Sequence, residues 1–129
     1  MPDRPNRSTR LAIAALCCAV AACGPFRRGQ AERPVVVFVN QSLDQADVYA
    51  LSPSGAESRI GTVMPGRTAE LTIPPTVVPS SGTVSIVARV LSRSRAPRTG
   101  PLTLAEGDRV RVTLPVDETT LTVLPAHTP

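Results

Sequence analysis

The sequence has no lysine and no tryptophan, and its 129 residues include one histidine, one tyrosine and two phenylalanines. Each shortage closes off a class of chemistry. Without lysine there is no Gly-rich phosphate loop of the kind that ends in that residue. A nucleophilic triad needs a base beside its nucleophile, normally histidine. The one histidine, His127, falls in the closing Pro-Ala-His-Thr-Pro segment, where loose chain ends are the rule. Zinc asks for several histidine or cysteine ligands, and the three cysteines, Cys17, Cys18 and Cys23, crowd into one apolar stretch near the start. Surfaces that bind sugars or single-stranded nucleic acid stack their ligands on aromatic rings. Phe26, Phe38 and Tyr49 are too few to form such a platform. The expectation is a protein that is not an enzyme, with no cofactor, no metal ion and no evident small-molecule substrate.

What is present points to strands. Apolar residues make up 42% of the chain, so a core must come from valine, leucine, isoleucine and alanine. β-branched side chains suit a pleated sheet better than a helix. The 14 prolines agree, since proline breaks helix interiors but suits turns and strand edges. All 14 basic residues are arginine.

The first 22 residues have a different character. Arg4, Arg7 and Arg10 precede Leu11–Ala22, an apolar run of twelve residues, LAIAALCCAVAA, without a charge. A membrane span needs roughly 20 residues, so the run is too short to cross. It suits the apolar region of a secretory signal, about 7–15 residues behind a positive start. Its end, Val20-Ala21-Ala22-Cys23, resembles the lipobox of bacterial lipoproteins: an aliphatic residue, two small ones and a cysteine. Cys17 follows the bulky Leu16 and Cys18 follows Cys17, so neither suits that pattern.

The resemblance implies diacylglycerol on the Cys23 thiol, cleavage before Cys23 and acylation, as with palmitate, of the new amine. Residues 1–22 would then be a signal peptide, and the remaining chain would keep one cysteine, consumed by lipid, so no disulfide could form. Two or more acyl chains hold firmly where one does not, at roughly 0.8 kcal/mol per buried methylene. The implied location is the cell envelope, with the membrane as partner through Cys23. Gly24 stands where inner-membrane lipoproteins often carry aspartate, which by resemblance favours the periplasmic face of an outer membrane if the host has one. Beyond Cys23 there are eleven arginines against nine acids. With that near balance and an export signal, nucleic acid is not an expected partner. An envelope protein or polymer is the expected kind, its identity open.

Residues 23–33 read as a lipidated flexible tether, because GPFRRGQAER mixes glycine, proline and charge without a period. A domain is expected over 34–125 and a disordered tail over 126–129. Within the domain, strands are predicted at 35–39, 47–51, 58–63, 68–73, 83–91, 109–114 and 120–124, bounded by turn residues such as Pro65-Gly66 and Glu106-Gly107-Asp108. The valine run at 35–39 looks covered on both faces. Elsewhere the residues alternate: Val84, Ile86, Ala88 and Val90 face one way, Ser85 and Arg89 the other. The proline-rich segment 74–82 should cross between sheets. The pattern suggests an all-β fold, a small antiparallel β-sandwich of about seven strands with immunoglobulin-like or transthyretin-like architecture. A barrel would show much the same pattern.

Two groups invite a functional reading. Asn40, Asp44 and Asp47 could offer oxygen ligands to calcium, but their spacing does not match a calcium loop, and Asn40 and Asp44 are better read as turn caps. Arg89, Arg93, Arg95 and Arg98 fall within ten residues with no acid between them. Arginine clusters grip phosphate and carboxylate through paired hydrogen bonds. If 93–98 is a loop, these charges can converge at one end of the sandwich as a possible site for anionic lipid or glycan. An ordinary solvated loop that guards a sheet edge would look the same.

Overall fold

The structure is a computed structural model that describes residues 32–94 and 96–126. Residues 1–31, where the signal peptide, Cys23 and most of the tether are expected, lie outside the described residues, as do Arg95 and His127. Residues 31–129 form a compact unit of their own.

Eight strands follow one another: β1 (Val35–Asn40), β2 (Ala46–Leu51), β3 (Glu57–Val63), β4 (Thr68–Thr72), β5 (Thr83–Val90), β6 (Leu102–Thr103), β7 (Arg109–Leu114) and β8 (Thr122–Pro125). They divide into two four-stranded sheets, β4-β1-β7-β8 and β3-β2-β5-β6. The fold is therefore a small all-β sandwich and not a barrel. Seven strands lie where alternation places them, within one or two residues at each end. The eighth, β6, has two residues, too few to show a period.

One pairing departs from the antiparallel expectation. β1 runs parallel to β7, with Val35 opposite Arg109 and Asn40 opposite Leu114, while β4 lies antiparallel on its other side. The run at 35–39 is also less enclosed than its composition suggests. Val36 and Phe38 point into the core and are fully buried, whereas Val35, Val37 and Val39 are half-buried on the outer face. Among the described residues no second layer covers them. Glu70 on β4 stands beside Val37 and Arg109 on β7 beside Val35, and these two charged side chains form an ion pair that reaches across β1. Their aliphatic stems lie on the side of the valines, as long charged side chains do over apolar surface.

The core is aliphatic with a single ring. Val48 and Ala50 of β2, Leu71 of β4, Val84 and Ile86 of β5, and Val112 and Leu114 of β7 share one buried cluster with Phe38. The crossing at 74–82 carries Val77 into the same cluster and ends at Gly82. Gly82 has φ +69°, and a Cβ there would lie 2.7 Å from the Leu104 carbonyl oxygen. The same glycine's carbonyl accepts the Leu104 N–H at 2.9 Å, so the contact cannot simply open. Gly82→Ala should cost about 2 kcal/mol from backbone strain, read as a lower midpoint in urea. Gly100→Ala, where a Cβ meets nothing within 4 Å, should melt like the parent.

Candidate functional site

Strand direction gathers four connections at one end of the sandwich. β1 and β7 both finish there, at Asn40 and Leu114, and β4 and β8 both start there. In the other sheet Ala46 pairs with Val63 and with Val90, so β2 starts at this end while β3 and β5 finish at it. The connections 41–45, 64–67 and 115–121 and the start of 91–101 therefore meet at one end. The described chain enters at the opposite end, at Pro34.

Asn40 ties this end together. It continues the inward row of Val36 and Phe38, where an apolar residue would be expected, and it is fully buried. Its amide nitrogen donates to the carbonyls of Asp44 (2.9 Å) and Val63 (3.0 Å). Its Oδ1 accepts from the Ser42 N–H (3.0 Å) and the Ser42 hydroxyl (2.7 Å). Both donors and both acceptor sites of the amide are thus used. Its backbone N–H donates to the Arg67 carbonyl. One side chain and its own peptide so join β1, the 41–45 loop, the end of β3 and the 64–67 turn.

The remaining loops are fastened to these. Ser92 donates to the Asp44 carboxylate at 2.6 Å, and the Leu91 N–H donates to the Gln45 carbonyl. Arg93 Nε donates to Glu118 at 2.7 Å, linking the 91–101 and 115–121 loops. Glu118 has φ +55°, a strained backbone for a side chain of its size, and its carboxylate side is nearly covered, only 5% exposed.

Among the described residues the arginine segment is less convergent than its sequence suggests. Pro97 and Thr99 run beside β5: the Ala88 N–H donates to the Pro97 carbonyl and the Thr99 N–H to the Ile86 carbonyl. Thr99 Oγ1 accepts the Ile86 N–H at 2.9 Å, a side chain standing in for a ladder partner. Residues 97–99 thereby guard the edge of β5, and only 91–96 are left to form a loop. Arg93 and Arg98 line one depression of about 670 Å³ together with Ser94, Pro97, Thr119 and the two acids Asp117 and Glu118. Arg89 stands apart on the outer face of its sheet, bonded to Glu57 at 2.7 Å and stacked 4.4 Å over the Tyr49 ring.

A second polar cluster, on that outer face, was not visible in sequence. Val48 pairs with Gly61 but Tyr49 pairs with Arg59, so Ile60 is the extra residue of a β-bulge. In a regular strand, residues three apart face opposite ways. The bulge reverses this between Arg59 and Thr62. Both reach Asp47, each at 2.7 Å. Beside the bulge, Gly61 lets Leu71 pack closely on β3, since a Cβ there would lie 2.5 Å from Leu71 Cδ2. Asp47, read in sequence as a possible calcium oxygen, is thus held by a hydroxyl and a guanidinium. Among the described residues no group of three or more His, Cys, Asp or Glu is placed to hold a metal ion.

The Thr62 hydroxyl is the main cause that keeps the Asp47 carboxyl below the ordinary aspartate value; desolvation opposes it and Arg59 adds to the lowering. The native carboxylate therefore binds a proton less readily than the unfolded one. Its contribution to stability is complete above the unfolded value and is lost as pH falls through the native one. Thr62→Val should be less stable than the parent at neutral pH, with the gap closing in thermal melts taken from about pH 5 down to about pH 2.

The chain matches no family model and no curated protein. What is defined is a class by architecture: an eight-stranded all-β sandwich with a cross-braced, four-loop end. Asn40→Ala would leave the Val63 carbonyl and the Ser42 N–H without these partners in a buried place, and should cost about 3 kcal/mol. Amide hydrogen exchange should speed up at residues 41–45 and 64–67 before it does in β5.

Proposed function

We propose that this protein is a cell-envelope lipoprotein, held at a membrane by lipid on Cys23, whose sandwich is a non-enzymatic interaction domain working through its four-loop end. The anchor rests on the Val20-Ala21-Ala22-Cys23 pattern and the charged-then-apolar stretch before it. The observation that carries the interaction role is the placing of exposed apolar side chains. Leu43 is 82% exposed, Leu91 80%, Val116 64% and Met64 54%. Each belongs to a different one of the four connections. Single exposed apolar residues are ordinary, but one on every loop at the same end, on a braced base, is a surface made for contact.

A narrower second reading is docking of an anionic lipid or glycan by the arginine segment. The shared depression of Arg93 and Arg98 favours it. Arg89 would take no part, being engaged by Glu57 and Tyr49.

The anchor is tested in cells by radiolabelled palmitate. Cys23→Ala should abolish labelling and leave uncleaved or misplaced precursor. Label that persists through Cys17 or Cys18 would overturn the assignment.

A further inference from the structure

Four of the five large apolar side chains exposed among the described residues sit on the four-loop end; Leu124, on the edge strand β8, is the fifth. Three kinds of surface could cover the four: a second copy, another protein or a lipid bilayer. Size and charge separate them. Strands about 4.8 Å apart and sheets about 10 Å apart give a four-stranded sandwich an end only about 20 Å on a side. Two such ends meeting bury roughly 800 Å², the level of a crystal contact and short of the 1,200 Å² or more of a stable complex. A bilayer sets no such minimum, because each apolar tip is buried on its own.

The charges are arranged to match. Arg67, Arg93 and Arg98 are exposed on the four connections, and neither Arg67 nor Arg98 forms an ion pair among the described residues. Two of the three acids of the same loops are engaged by neighbouring side chains. Asp44 accepts from Ser92, and Glu118, nearly covered, accepts from Arg93. Asp117 is the exposed acid of the set, and its carboxylate accepts from the Thr119 hydroxyl at 3.0 Å. Apolar tips with basic residues outward and acids held back are the pattern of an interfacial contact, in which apolar groups enter the acyl boundary and guanidinium groups meet phosphates.

We infer that the four-loop end is a peripheral membrane-contacting surface, with Leu43, Met64, Leu91 and Val116 entering a phospholipid bilayer and Arg67 and Arg98 meeting its phosphates. This deepens the interaction role proposed above and rests on it, but it does not depend on the Cys23 anchor. It gives the protein a second hold on lipid, at the end away from Pro34.

The test uses residues 31–129, a compact unit that contains every described strand and the described core and lacks Cys23. The parent has no tryptophan, so Leu91→Trp supplies a single fluorophore at a position 80% exposed. On vesicles of phosphatidylethanolamine and phosphatidylglycerol its emission should shift to the blue, and the unsubstituted unit should sediment with them. Pure phosphatidylcholine vesicles should hold it less well. Leu43→Ser with Leu91→Ser should weaken partition tenfold or more without lowering the melting temperature. Arg67→Ser with Arg98→Ser should reduce binding and flatten its salt dependence.

Emission unshifted on every vesicle, or equal partition of the parent and the Leu43→Ser/Leu91→Ser variant, would overturn the lipid assignment. So would self-association in sedimentation velocity that the same two serines abolish. If vesicles are ignored and a photo-crosslinker at position 91 captures a protein in cells, the lipid proposal falls and the interaction role stands. If neither occurs, both fall, while palmitate labelling still decides the anchor separately.

Discussion

The buried amide of Asn40 is the constraint on which the loop-bearing end depends. β1 must leave one sheet and β2 must begin in the other within five residues, 41–45. So short a crossing leaves backbone groups turned inward, where no ladder can satisfy them, and an unpartnered buried group costs about 1–3 kcal/mol. Asn40 supplies two donors and an acceptor at that spot. Because it serves the Val63 and Asp44 carbonyls together, the two sheets are joined through one planar group. A valine there would continue the apolar row and take away the amide that the Val63 carbonyl accepts from. Among the described residues no buried side-chain nitrogen or oxygen lacks a partner, so the core is closed without electrostatic strain.

From that fastening the surface properties follow. With the 41–45 loop fixed, Asp44 can hold Ser92 and Gln45 can hold the Leu91 N–H. The start of the arginine segment is thereby set, and Arg93 falls beside Glu118. The loops cannot fold their apolar tips back over the core, because their backbones are already committed to one another. Exposure of Leu43 and Leu91 is thus a product of bracing and not of looseness. On the outer faces, charge is spent differently. Glu70–Arg109, Asp47–Arg59 and Glu57–Arg89 cross neighbouring strands, and exposed pairs of this kind contribute about 0–1 kcal/mol each. They shade apolar or aromatic surface more than they hold the fold together.

Much of the fold was legible because a strand's signature is local. Alternation at Thr83–Val90 and Arg109–Leu114, and turn residues at Pro65-Gly66 and Glu106-Gly107, mark elements with no knowledge of their partners. β6 escaped because two residues have no period. The parallel pairing of β1 with β7 escaped because nothing in VVVFVN specifies a neighbour 74 residues away. The site was legible in part. Asn40 and Asp44 showed as turn residues, but not as a joint between sheets. The arginine cluster was plain in sequence, yet its members part: Arg89 goes to Tyr49 and Glu57, while Arg93 and Arg98 share a depression with Glu118.

The sequence alone determined that the chain beyond Pro34 would be built of strands, and that its core would be aliphatic. These depend on the order of neighbouring residues, which short-range sterics and hydrophobic period translate directly. Tertiary structure decided what lies next to what: the bulge at Ile60 that turns Arg59 and Thr62 to one face, the amide that joins two sheets, and the gathering of Leu43, Met64, Leu91 and Val116 at one end. Those positions are far apart along the chain. Only strand direction, set by pairing across the whole sandwich, brings them together.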